Sequence, residues 1–444
     1  MTDSTQLPID RTSHDTLATT GLDYRLLDVT DADAARAWLL AETRGFHDGA
    51  RSDALIEAQT RDMAGDRVIG VWDSSALDAG SPLATVRSWI MDLTVPGGAA
   101  LPAWAISDVT VAPTYRRRGV ARALLTAELR TARDAGISMA MLTVSEATIY
   151  SRYGFGPAAW QAHYAIDTRR AHWRGPTPAG RLQLVAPASL LGEAPAVFAR
   201  ARRVSPGEVD RRTDLWQRIV GVYPAKPQDD KRDDLYAVRY DDETGTLQGF
   251  AVYRFVHENA AFPNRLEVTD LVAATDDAYA ALWRILVEMD LTDDITAPMR
   301  AVNEPLSWMV ADRRAVQKTD ERDHLWLRIL DVPATLERRT YASPGEFVLT
   351  VEDDLGFIDG EYLLTVDADG RGTAHPLAES DTDPSSAAAR LTLTAADLAS
   401  LYLGGASAVD LAGSARLTEQ TTDAAARLDA TFRSAHPPRL STWF

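Results

Sequence analysis

The segment Ser107–Gly136 passes from strand-forming to turn-forming to helix-forming residues without a break. Val109–Thr110–Val111 is an extended run, Pro113 closes it, and Arg116–Arg117–Arg118–Gly119 follows. Val120 to Ala135 then carries Ala, Leu, Glu and Arg at helical spacing. Asp134–Ala135–Gly136 ends that helix, with glycine at a position suited to a helix C-terminus. A second strand-like run, Met139–Val144, comes next. Strand, Gly-bearing turn, helix and strand in that order predict a βαβ unit. Arg67–Trp72, Leu83–Met91 and Ile106–Val111 read as further strands, so the fold class is α/β (α+β).

The turn has a chemistry of its own. Small residues at Gly119 and Ala121 let a ligand approach the backbone. The free N–H groups of a helix start suit a pyrophosphate, and the helix dipole favours its charge. Three adjacent arginines add charge-assisted contacts. The strand before the turn can offer backbone amides to an extended amide-bearing arm. Neither a Rossmann Gly-x-Gly-x-x-Gly nor a P-loop Gly-Lys-Ser/Thr is present. On chemistry alone, a phosphate-binding helix start and an exposed basic cap both remain open.

Composition bounds the rest. The chain carries 46 basic and 64 acidic residues, a formal charge of −18. That balance repels phosphate backbones and argues against a nucleic-acid partner, while it suits cationic substrates. Against it, a tight arginine cluster carries added weight. Cysteine is absent, which removes disulfides, thiolate metal sites and a Cys nucleophile. The histidines sit singly, without metal-ligand spacing, so no metal is expected. No apolar run approaches the roughly eighteen residues a membrane span needs.

A length of 444 residues suggests three domains. Residues 1–21 are polar and read as a flexible tail. Residues 22–180 hold the βαβ unit. Residues 181–332 repeat its order, with strands at Leu235–Tyr240, Gly249–Val256 and Leu266–Ala273 and a helix at Ala278–Met289. There, Asp276–Asp277 stand where the first block has arginines, so no cofactor is expected. Residues 333–444 hold strands at Glu346–Val351, Tyr362–Val366 and Arg390–Leu393. A helix capped at Thr394, a last helix around Thr422–Arg433 and an arm from His436 to Phe444 complete that block. His436–Pro437–Pro438 forbids helix, so the arm is extended and can reach another domain.

Val111-x-Pro113-x-x-Arg116-x-x-Gly119-x-Ala121 resembles the acetyl-CoA loop of the GNAT superfamily of N-acetyltransferases. Ser145–Glu146–Ala147–Thr148–Ile149–Tyr150–Ser151–Arg152–Tyr153–Gly154–Phe155–Gly156–Pro157 resembles the narrower Eis ("enhanced intracellular survival") family, over nearly the whole chain. The resemblance implies tandem GNAT-fold domains, the second degenerate, and a C-terminal sterol-carrier-like domain. It implies that Val109, Thr110 and Val111 meet the pantetheine arm of acetyl-CoA. Arg117, Arg118, Gly119, Val120, Ala121 and Arg122 would hold the phosphates, and Ser145 and Glu146 would line the thioester region. Ala147–Thr148 departs from the family's smaller residues, which leaves the fine fit of substrate open.

Acetyl transfer by direct attack needs a base for the amine and an acid for the thiolate. The resemblance assigns the acid to Tyr150; without it, Tyr150 reads as a packed aromatic. It assigns the base to the C-terminal carboxylate of Phe444, whose ordinary pKa near ~3.5 would call for burial or a water relay. Asp108, on the cofactor strand, is the rival base. Asp48 falls where the family places an acid that meets substrate ammonium groups. The implied acceptors are small-molecule amines of polyamine type such as aminoglycosides, in a roomy acidic pocket, or protein lysines. A lipid carrier with a vestigial transferase is the other reading. A cytoplasmic homohexamer without membrane contact is the implied setting.

Overall fold

The computed structural model describes residues 3–224, 234–256, 264–377, 385 and 387–444. The first stretch contains α1 (Arg11–Ala18), β1 (Leu22–Leu26), α2 (Ala32–Gly45), α3 (Asp53–Met63), β2 (Arg67–Asp73), β3 (Ala84–Thr94), β4 (Ala100–Val111), α4 (Val120–Asp134), β5 (Met139–Thr143), α5 (Ala147–Tyr150) and β6 (Gly156–Asp167). Next come β7 (Arg181–Val185), β8 (Leu235–Asp241), β9 (Leu247–Val256), β10 (Asn264–Ala273), β11 (Thr292–Arg300) and β12 (Val316–Ile329). The last block holds β13 (Gly345–Glu352), β14 (Gly360–Val366), β15 (Gly372–Pro376), β16 (Ala389–Thr394) and β17 (Leu417–Glu419).

The first twelve strands form one sheet in the order β1-β2-β3-β4-β5-β12-β6-β11-β10-β9-β8-β7. The first and second domains therefore exchange strands. β12, from the second half, pairs with β5 through Leu325↔Thr143 to Ile329↔Met139, and with β6 on its other edge. β6, from the first half, completes the second by pairing with β11. Neither half closes its sheet alone, although each has its own strand–helix–strand unit.

α4 buries Val120, Leu124, Leu125 and Leu129 against this sheet, the spacing of one helical face. Its buried Glu128 accepts from Trp104 Nε1 at 3.0 Å and faces Arg67 Nε at 3.7 Å, so a charged residue within the core is partnered.

The N-terminus departs from the expected flexible tail. Met1 and Thr2 lie outside the described residues, but α1 docks on α4. Asp10 caps α1 through the Ser13 amide and takes a two-pronged ion pair from Arg130 at 2.7 and 2.9 Å. Ser13 donates to the Ala123 carbonyl at 2.7 Å, and Leu17 is buried in the first domain's core. Polar composition suggested a tail; it serves as a set of caps and bridges instead.

The third block is a five-stranded sheet, β15-β14-β13-β16-β17, with helices at Ala395–Leu401, Ala408–Gly413 and Ala424–Phe432. Thr394 caps the first of these through the Asp397 amide, as expected. That helix packs on β6 and β12, and its Ala396 carbonyl comes so close that a Cβ on Gly156 would lie 1.9 Å from it; only glycine fits there. One apolar core runs through both domains, from Trp89, Met91 and Leu325 to Phe347, Leu398 and Tyr402. Inside the third domain the buried Arg339 guanidinium donates to the Tyr402 and Phe432 carbonyls and lies against the Tyr341 and Phe432 rings.

Candidate active site

β4 pairs with β3 along its length but with β5 only at Trp104↔Ala140 and Ala105↔Met141. Beyond Ala105 the two parallel strands diverge. A bulge sharpens the divergence: Asp108 takes φ +54°, and Thr85 ties its carbonyl down at 2.7 Å. Val109 to Val111 thus face a wedge with no strand on that side.

α4 opens on the same wedge. Gly119 is its N-cap, at φ +79° and with no side chain to satisfy the first amides. A positive φ needs glycine here, and the missing cap leaves N–H groups and the helix dipole facing the cleft. The cleft holds about 820 Å³. Its walls include Val109, Thr110, Val111, Arg117, Gly119, Val120, Ala121, Arg122, Ser145, Glu146 and Tyr150, so these predicted residues converge on one space. Arg118 stands apart, its guanidinium 4.8 Å over the Tyr115 ring, and Tyr115 donates to Asp73 at 2.7 Å.

Tyr150 ends α5, buried edge-on to Phe155. Burial pushes its phenol above the usual tyrosine value, opposed by a hydrogen bond with Ser145. Such a phenol keeps its proton at neutral pH.

The C-terminal arm arrives beside this cleft. Thr143, the last residue of β5, donates to the Phe444 main-chain oxygen at 2.8 Å, and the Phe444 ring stands edge-on to Trp89 at 6.1 Å. Glu208 is fully buried and clamps the arm: it accepts from Ser441 Oγ at 2.8 Å and pairs with Arg439 at 3.1 Å. Arg211 donates to Ser441 Oγ at 3.0 Å. His324 Nε2 donates to the Thr442 carbonyl at 2.7 Å, with Trp443 packed on its ring. Burial pushes the His324 imidazole down to about 4, so it is neutral at pH 7.

Two small compartments lie behind the β4 bulge. One, of about 50 Å³, is lined by Glu42, Arg51, Gln59, Asp62, Arg87, Asp108, Asp214 and Arg218. The other, of about 80 Å³, shares Arg87, Asp214 and Arg218 and adds Trp89, Trp443 and Phe444. Both spaces are narrow, and their side-chain carboxylates, Glu42, Asp62, Asp108, Asp210 and Asp214, outnumber their guanidiniums, Arg51, Arg87, Arg212 and Arg218. Asp108 pairs with Arg87 at 2.8 Å. Asp48 lines neither compartment and lies 3.7 Å from Arg51. Burial, then the charge of Asp108, pushes Glu42 up to about 7, against the pull of Arg51. Glu208 and His324 escape a reading of the sequence because their partners, Ser441 and Thr442, lie more than a hundred residues away, and Glu42 and Arg87 because nothing local marks a lone polar residue as facing a compartment.

The central domain's wedge is built differently. β10 and β11 pair only from Asn264 to Glu267 and then part. Arg300 enters the gap, donating to the Leu271 carbonyl at 3.0 Å and pairing with Glu304 at 2.9 Å, and Tyr279 donates to Glu304 at 2.5 Å. The helix Asp276–Val287 is capped by Thr275, which accepts from the Ala278 amide.

Comparison with known proteins agrees with this architecture. Residues 28–158 and 207–329 each match acetyltransferase (GNAT) domain families, and residues 332–441 match a sterol carrier protein domain family. An uncharacterized N-acetyltransferase of Streptomyces avermitilis is 36% identical over 423 residues, 94% of this chain and 97% of its own. The N-acetyltransferase Eis of Mycobacterium tuberculosis is 36% identical over 358 residues, 79% of this chain and 83% of its own. The crystal structure of Eis1 from Mycobacterium abscessus superposes with a TM-score of 0.77 at 30% identity, covering 95% of this chain and 100% of that one. The chain belongs to the Eis family of GNAT acetyltransferases, with two GNAT domains and a sterol-carrier-like third.

Proposed function

We propose that the protein transfers the acetyl group of acetyl-CoA to a primary amine of a small cationic acceptor by direct attack. The observation that carries this is the meeting, in one cleft, of an uncapped α4 start, an unpaired β4 edge and a buried protonated phenol. Acetyl-CoA fits the groups present: Val120 to Arg122 offer backbone amides to its diphosphate, Arg117 and Arg122 offer charge, and Val109 to Val111 offer a strand edge to its pantetheine arm. When bound it supplies the acetyl group as a thioester.

The chain's own residues supply the proton chemistry. The Tyr150 Oη holds a proton at neutral pH and gives it to the departing sulfur. The Phe444 carboxylate, held by Thr143, takes a proton from the amine nitrogen as the C–N bond forms. Asp108 is engaged by Arg87, which disfavours it as the proton acceptor. The acceptor class we propose is polyamine-like, aminoglycosides among them. The narrow compartments favour a single aminoalkyl arm at the reacting end, which a lysine side chain also offers. To Asp48, 3.7 Å from Arg51, we assign a second ammonium of the acceptor. The proposed setting is a cytoplasmic homohexamer.

The test is turnover of acetyl-CoA by the purified full chain against a panel of amines: aminoglycosides, linear diamines and lysine peptides. Acetylation of aminoglycosides or diamines is expected. Acetylation of peptides alone would move the acceptor assignment to protein lysines, and none at all would remove the amine.

A further inference from the structure

An alkylammonium acceptor must lose two protons in each turnover, one before its nitrogen can attack and one after. The mechanism above has one acceptor, the Phe444 carboxylate. We propose that Glu42 is the second: a catalytic residue that takes the first proton from the bound ammonium through water in the compartment behind the β4 bulge. This rests on the acetyltransferase reading and adds a role for a residue outside the cofactor cleft.

Placement carries the argument. Glu42 sits one turn before the end of α2, and its carbonyl accepts the amide of Phe46, which lines the cofactor cleft. Across the compartment stands Asp108, next in sequence to Val109 on the cleft wall. The compartment thus abuts the cleft through both α2 and the β4 bulge. At about 50 Å³ it has room for ordered water, and its polar lining supplies the partners such water needs. Arg51 engages Glu42 Oε2 at 2.5 Å, and the Glu42 side chain lines the compartment.

Every element around Glu42 contributes charge. Asp48 and Arg51 come from the loop after α2, Asp62 from α3, Arg87 from β3, Asp108 from β4, and Asp214 and Arg218 from the helix Thr213–Ile219. Arg87 is compensated by Asp66 and Asp108, and Arg218 by Asp214. Burial and Asp108 together outweigh Arg51 and hold the Glu42 carboxyl near neutrality. A base near the working pH is better matched to an ammonium than an ordinary terminal carboxylate. The protons balance: the ammonium gives one through the water to the Glu42 carboxylate, the neutral nitrogen forms the C–N bond as the C–S bond breaks, and Phe444 takes the second. Tyr150 returns one to the sulfur.

The experiment is the pH dependence of kcat/KM for a diamine acceptor with wild type and Glu42→Gln, alongside acetyl-CoA calorimetry. Wild type should show an acidic limb inflecting at about pH 7. Glu42→Gln should bind acetyl-CoA normally, lose about 100-fold in kcat/KM at pH 7, and recover toward the acceptor's own pKa as pH rises. A variant that slows but keeps the wild-type limb overturns the proposal, because a packing defect lowers the rate without moving the profile. Should the variant fail to bind acetyl-CoA, carbon-13 titration of glutamate carboxyls in the wild-type protein decides. One carboxyl titrating between about pH 6 and 8 supports the role, and none overturns it. Loss of wild-type turnover on all amines would sink the acetyltransferase reading instead, which is a distinct result.

Discussion

The hydroxyl of Thr143 donates a 2.8 Å hydrogen bond to the main-chain oxygen of Phe444, across 301 residues of chain. Phe444 is thereby fixed at the end of β5, the strand that borders the wedge, where the proposed function makes its carboxylate the base. A hydrogen bond to a charged group contributes about 1.5–3 kcal/mol. Thr143→Val should lower kcat by about tenfold or more while acetyl-CoA affinity holds. Deleting Phe444, or extending the chain beyond it with a tag, should abolish turnover with a thermal midpoint close to wild type. Steady-state kinetics beside a melting curve checks both.

Tyr150 is buried and its phenol is pushed upward, so it has a proton to give at pH 7. Tyr150→Phe removes that proton and little volume. We expect kcat to fall by at least about 100-fold, the usual scale of acid catalysis, with acetyl-CoA binding unchanged. A rate equal to wild type in stopped-time thiol release would take Tyr150 out of the chemistry.

Glu208 holds the arm through Ser441 and Arg439 from a fully buried position. Glu208→Gln keeps the shape but leaves Arg439 without its counter-charge, a costly change for a buried pair. The arm should then loosen. Carboxypeptidase digestion, followed by mass spectrometry, should trim Phe444 and Trp443 from the variant much faster than from wild type.

His324 carries a pH dependence of stability. Its folded value is about 4, below the 6.5 of an exposed imidazole, because burial disfavours the charged ring. Between those values the unfolded chain binds the proton and the folded chain does not. The stabilisation is therefore complete above about pH 6.5 and is lost as pH falls toward 4. Its full size is about 3 kcal/mol. Denaturant melts from pH 7.5 to 4.5 should show this loss, and His324→Asn should reduce it.

Much of this architecture is legible in local pattern. Strand-forming runs marked β2, β3 and β5, the Thr394 cap placed its helix, and the Arg116–Gly119 turn marked the start of α4. What escapes is long-range. β12 inserts between β5 and β6, an exchange that no local periodicity encodes. α1 looked like a tail because its anchors, Asp10 and Ser13, are polar and bond to α4 more than a hundred residues away. The compartment behind the β4 bulge is lined by single charged residues of α2, α3, β3, β4 and the helix Thr213–Ile219, so its narrowness and acidic excess follow only from packing. The arginine loop was readable because a helix start and its flanking strand are contiguous.

The most direct measurement is calorimetric titration of acetyl-CoA into the full chain. The first domain offers an uncapped helix start in an open wedge, and the central one fills its wedge with Arg300, Glu304 and Tyr279. Binding at one molecule per chain, weakened about tenfold or more by Arg117→Glu, is the result this account predicts. No heat from acetyl-CoA, or two equivalent sites per chain, would contradict it.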